Sequence, residues 1–192
     1  MNPFYPTLPA SQWKRMATIA VTGSLLAGLY GAAHDQLSYT LSPEYFTKLK
    51  APQFWYADFG WPPRVFAAEV GFLAGWGVGL IAGWLLARVG LAALPDEIRR
   101  RAMWRAFAII AGVTLFGGSV GLLLGYWRTL SSHEAWNEWQ ELLRLEDLRG
   151  FVLVAYLHGG SYAGALLGLL GACWSVRRHR RTISPIAATN PA

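Results

Sequence analysis

Four uninterrupted apolar stretches dominate this sequence, running approximately from Met16 to Ala33, Val65 to Val89, Met103 to Tyr126 and Phe151 to Val176. A helix needs about 20 such residues to cross a hydrocarbon core roughly 30 Å thick. Backbone N–H and C=O groups in lipid must be satisfied within the segment itself, so each stretch is expected to be a spanning helix. The connections 34–64 and 127–150 are too short to bury cores of their own. The expected fold is therefore an all-α membrane protein, a four-transmembrane-helix bundle forming one integral domain. Composition agrees, because 54% of the 192 residues are apolar and only 15% are charged, which excludes a disordered chain and argues against a water-soluble one.

Charge is distributed unevenly between the two ends of such a bundle. Eleven of the 17 Lys and Arg residues fall at one end: Lys14 and Arg15, Arg88, Arg99 to Arg101, Arg105, and four within the segment 177–181. Nine of the 11 carboxylates fall at or near the other. By the positive-inside rule the basic end should be cytoplasmic, with both termini inside and a basic tail over 177–192. This asymmetry accounts for the formal charge of +6 without a nucleic-acid partner, and the arginine clusters also suit anionic lipid headgroups. Gly31 and Ala33, following Lys14, Arg15 and an apolar run, additionally have the form of a signal-peptide cleavage site that would leave His34 as a new amino terminus. Cys173 is the single cysteine, which excludes an intramolecular disulfide and a cysteine-based metal site.

Glycines recur every four residues: Gly71, Gly75, Gly79 and Gly83 in the second stretch, Gly117, Gly121 and Gly125 in the third, Gly160, Gly164 and Gly168 in the fourth. Gly23, Ala27 and Gly31 repeat the pattern in the first. This spacing places small residues on one helix face, where backbones can approach closely. Tight packing within the bundle is expected, with homo-oligomerisation through one such seam as the alternative. Aromatic residues gather at the stretch ends, notably Trp55, Tyr56, Trp61, Trp104, Trp127 and Trp174, as interfacial anchors do.

In the first connection, Ser42 followed by Pro43 and Glu44 predicts a short helix from Pro43 to about Leu49, with Ser42 as N-cap. In the second, Ser131 and Glu134 have the spacing of a capping box. An amphipathic helix from about Ser132 to Leu148 is expected, its apolar face formed by Trp136, Trp139, Leu142, Leu143 and Leu145. His133 reads as an exposed residue at its start. The run His34-Asp35-Gln36, continuing to Ser42-Pro43-Glu44-Tyr45-Phe46-Thr47, resembles an element found after the first span in a family of small bacterial multi-span membrane proteins without established activity. The stretch His158-Gly159-Gly160-Ser161-Tyr162 is similar to a second such element. The resemblance implies a bacterial source and no particular chemistry; with the spans and the charge asymmetry, the inner membrane is the expected location.

Ionisable groups within the bilayer are costly, so each needs a partner or a task. Glu69 and His158 lie one to two turns inside spans that start on the outer side, while the first span delivers His34 and Asp35 to the same depth and Glu44 follows just above. His34, Asp35, Glu44, Glu69 and His158 are thus expected to converge on one outer-facing pocket. Two imidazoles with carboxylates suit Zn, Mn, Fe or Cu. Glu69, His158, Ser161, Tyr162 and Tyr45 are also candidates for holding a small ligand or a proton, Ser161 and Tyr162 sharing the His158 face by helical spacing. Three readings follow: a structural staple, a metal site that extends to a metal-dependent membrane oxidoreductase, and a proton relay or permease in a small oligomeric transporter. No phosphate-binding loop, nucleophile elbow or HExxH pair is present.

Overall fold

The computed structural model describes residues 10–131 and 136–188. Among these no strand occurs, and four helices are long and apolar enough to cross a membrane: α1 (Ala10–Leu41), α3 (Pro63–Val89), α4 (Asp96–Ser131) and α6 (Leu148–Ala188). Between them lie two short helices, α2 (Ala51–Gln53) and α5 (Asn137–Leu143). At 1.5 Å per residue even the 27 residues of α3 extend about 40 Å, beyond a hydrocarbon core.

Where the helices end has consequences for the site. The first apolar stretch was expected to give way to a loop at His34, yet α1 continues unbroken to Leu41. Nothing in His34–Leu41 opposes a helix, and the first residue that does is Pro43. His34, Asp35 and Ser38 therefore stand on a rigid helix. α3 begins where Pro62 and Pro63 place it, with Pro63 in the first turn, where a missing N–H costs nothing.

The four helices pack as two antiparallel pairs, α1 with α3 and α4 with α6. In the first pair Gly31 faces Gly71, Ala27 faces Gly75, Gly23 faces Gly79 and Ile19 faces Gly83. Each step of four along α1 is matched by a step of four back along α3. A Cβ added at Gly23 would lie 2.6 Å from the Gly79 carbonyl oxygen, so the backbones are already at contact. Gly117 and Gly121 meet Gly160 in the same manner, and Gly164 meets Val113.

The pairs join at their two ends. At the basic end Met16, Ile19, Leu86 and Leu91 pack with Ala106, Ala172 and Val176, and Arg15 bridges to Asp96 at 2.8 Å. At the other end Tyr45 and Phe46 pack with Ala67, Leu148, Phe151 and Val152. Tyr45 and Phe46 come from a π-helical turn, Tyr45–Lys50, at the place where a short helix was expected. Ser42 does not cap it. Its amide instead continues α1 by donating to the Ser38 carbonyl at 2.9 Å, and its hydroxyl is buried without a hydrogen-bond partner among the described residues.

The second connection also departs from expectation. Ser131 belongs to α4, where its hydroxyl donates to the Trp127 carbonyl at 3.1 Å, so it is no capping residue. His133 and Glu134 lie outside the described residues. α5 spans seven residues only, because Arg144 turns into the left-handed region with φ 50°. The foreseen apolar face is divided: Leu145 is buried and Trp136 packs beside it, whereas Leu142 is exposed.

Candidate functional site

At the end opposite the arginine clusters, α1 and α6 bring three chemical groups together. His34 and Asp35 come from α1 and His158 from α6, and one ligand atom from each lies within 4.8 Å of the others. His34 Nδ1 is 3.1 Å from Asp35 Oδ1, and His158 Nε2 is 3.6 Å from the same oxygen. The imidazoles meet edge to face with centroids 4.7 Å apart. Asp35 and His158 are 5% and 3% exposed. Close helix approach makes room for this: Gly71 of α3 abuts Asp35, and a Cβ there would sit 2.9 Å from Asp35 Cγ.

Hydroxyl groups surround the three residues. Ser38, one turn beyond His34, lies 3.2 Å from His158 Nε2 and donates to the His34 carbonyl at 3.0 Å. Ser161 is 3.3 Å from His34 Nε2, and the Tyr162 hydroxyl is 3.4 Å from His158 Nδ1. Tyr162 thus contacts the imidazole whose helix face it shares. The Tyr45 ring lies over His158 at 4.8 Å, and burial pushes its phenol above the usual value.

These contacts form one complete hydrogen-bond set. Ser38 donates its proton to the His34 carbonyl, so His158 donates Nε2–H to Ser38, and Tyr162 donates to His158 Nδ1. His34 donates Nδ1–H to Asp35, and Ser161 donates to His34 Nε2. Asp35 is the acceptor for His34 in this set. Its cationic neighbour is Lys50, whose ammonium burial holds below the ordinary lysine value while Asp35 pulls the other way.

Two carboxylates expected here are not part of the three-residue group. Glu44 accepts the Glu146 amide at 3.1 Å and the Asp147 amide at 2.8 Å, and pairs with Lys48. Burial disfavours its charge, but the bonds from Lys48 and these amides outweigh that and hold its carboxyl below the usual range. Glu44 is thus a tether on the chain entering α6. Glu69 precedes Gly71 by two residues, a rotation of roughly 200°, so the face that meets Asp35 is not its own. Its Oε2 is buried with no hydrogen-bond partner among the described residues. Sequence reasoning did not single out Ser38 or Lys50. The four-residue step from His34 is the signal that marks Ser38, while nothing local marks Lys50.

No protein-family model, curated protein or solved structure matches the chain. What the geometry establishes is a group of three residues that could hold a metal ion, in a protein with four candidate membrane spans.

Proposed function

We propose that this chain is a multi-pass protein of the bacterial cytoplasmic membrane, its basic end and both termini cytoplasmic, and that His34, Asp35 and His158 form a centre for a divalent transition-metal ion near the outer side. In this reading the four-spaced glycines hold the helices at short distance, and the two longer connections cap the centre. The observation that carries the reading is the spacing of the ligand atoms. Bonds of about 2.0–2.2 Å to nitrogen and oxygen around a tetrahedral ion separate neighbouring ligand atoms by about 3.3–3.6 Å; the separations from Asp35 Oδ1 are 3.1 and 3.6 Å, and all three ligand atoms lie within 4.8 Å of one another, so the two imidazoles would close in on an ion.

Outer partners support it. A metal-bound histidine generally donates its other ring N–H to an oxygen that fixes its tautomer. Here His34 Nε2 faces Ser161, and His158 Nδ1 faces Tyr162. On binding an ion at His34 Nδ1 and His158 Nε2, both rings switch tautomer and the two hydroxyls change from donors to acceptors. Two imidazoles and one carboxylate form a set that Zn²⁺ accepts, with a fourth position left for Ser38, water or a substrate.

A second reading rests on a specific observation. The ion-free hydrogen-bond set is already complete, and the Lys50 charge opposes a second cation nearby, so the same residues can serve as a latch between α1 and α6. Elemental analysis of the detergent-purified protein separates the two. The metal reading expects about one ion per chain, lost in His34→Ala and in His158→Ala. A wild-type protein without metal, whose binding of added Zn²⁺ is the same in both variants, would overturn it. The latch reading then expects a loss of about 1–3 kcal/mol in stability for either variant, the cost of leaving buried polar partners unmatched.

A further inference from the structure

A separate feature lies at the basic end, between the first turns of α4 and the last apolar turn of α6. There a cavity of about 370 Å³ is rimmed by Arg101, Arg105, Ser175 and His179 and floored by Ala102 and Val176. Arg101, Ala102 and Arg105 share one face of α4 by helical spacing, and Ser175, Val176 and His179 share one face of α6. The two faces meet over an apolar floor.

The local charges leave this rim positive. Only two carboxylates, Asp96 and Glu97, belong to this end of the sequence. Asp96 is taken by Arg15 at 2.8 Å and Arg99 at 2.7 Å. Glu97 is shared by Arg100 at 2.9 Å and Arg101 at 3.2 Å. Arg105, one turn deeper than Arg101, has no ion pair or hydrogen bond among the described residues. The planar guanidinium, set beside apolar side chains, can hold two oxygens of one oxyanion at once.

Depth identifies the anion. Trp104 and Trp174, each adjacent in sequence to a rim residue, are exposed on the outer surface of the bundle, and indole rings of spanning helices settle in the headgroup layer. On the membrane reading of the chain, that places the mouth of the cavity at the level of lipid phosphates. We propose that it binds the phosphodiester of an anionic phospholipid, with Arg101 and Arg105 on the phosphate oxygens, the Ser175 hydroxyl donating to the same group, and the glycerol and first methylenes over Ala102 and Val176. The apolar floor distinguishes a lipid from free phosphate, which has nothing to place there. The excess of cations selects headgroups without a positive choline or ethanolamine. This inference rests on the membrane reading of the chain and is independent of the metal centre.

Native mass spectrometry of the detergent-purified chain, titrated with phosphatidylglycerol or phosphatidylcholine, tests it. The wild type should retain one phosphatidylglycerol in preference to phosphatidylcholine. Combined Arg101→Gln and Arg105→Gln should weaken that retention by about thirtyfold, as removing two surface-level cations predicts. A charge-matched control, Arg100→Gln with Arg178→Gln, alters residues off the rim and should lose clearly less. Unchanged helical content by circular dichroism shows that each variant is folded, and an unfolded double variant is replaced by Arg105→Gln alone, with the same direction expected. Equal losses in both pairs would reduce the effect to diffuse surface charge and overturn the site. Retention of phosphatidylcholine equal to that of phosphatidylglycerol would do so too, as would displacement of the lipid by millimolar inorganic phosphate.

Discussion

Lys50 is the residue at which the two readings of the polar centre diverge most sharply. Its ammonium is driven down by burial and sustained by Asp35, so it supplies the cation that an ion-free centre needs and repels the cation that a metal centre would admit. Lys50→Met should tighten Zn²⁺ binding by about tenfold or more, since one like charge is removed from a site of reduced dielectric. Isothermal titration in detergent measures it, and unchanged or weaker binding counts against the metal. The sequence allowed His34, Asp35 and His158 to be chosen because ionisable groups in spans are expensive, and the structure brings them together. It pointed equally to Glu44 and Glu69, which the three-residue group does not include. Hydropathy gives a residue's depth, but not the direction it faces around its helix, and direction separates Glu69 from Gly71 and its neighbour Asp35.

Glu44 shows how one element is held by another distant in sequence. α6 starts with Asp147 accepting the Gly150 amide at 2.9 Å, an N-cap of ordinary kind. Ahead of it, Glu44 accepts the amides of Glu146 and Asp147 from across the molecule. Because these bonds lower the Glu44 value in the folded state, their contribution is fully present above the ordinary carboxylate range and is lost as pH falls through the lowered folded value. Glu44→Gln should cost about 1.5–3 kcal/mol near neutral pH, the scale of hydrogen bonds to a charged group. The gap from wild type should close in acid, as followed by denaturant titration in micelles at pH 7 and at about pH 3. An equal gap at both values would show that the carboxylate charge contributes nothing. The position of a short helical element after Pro43 could be read in the sequence. Its π form could not, since that depends on Tyr45 and Phe46 reaching residues of α6 about a hundred positions later.

At the scale of the whole molecule, the four long apolar helices were legible because such long apolar stretches have few backbone solutions, whereas their partners were not, since four-spaced small residues in every one of them allow several pairings. The structure resolves this into two antiparallel pairs that touch each other mainly at their ends. Each pair therefore makes most of its close backbone contacts without the other. Expressed together as separate chains 1–94 and 95–192, the two halves should insert and co-purify, because in a bilayer helices form first and associate afterwards through packing. Their association should depend on the end contacts. His158→Ala removes the ring that reaches Ser38 and Asp35 across the junction, and Asp96→Asn removes the charge that meets Arg15. The buried contact should matter more, because an exposed ion pair contributes at most about 1 kcal/mol. Pull-down of the tagged first half, with the second half quantified by blotting, should show a clear loss for His158→Ala and little for Asp96→Asn. The reverse order would place the main junction at the basic end and remove the polar centre from the assembly of the fold.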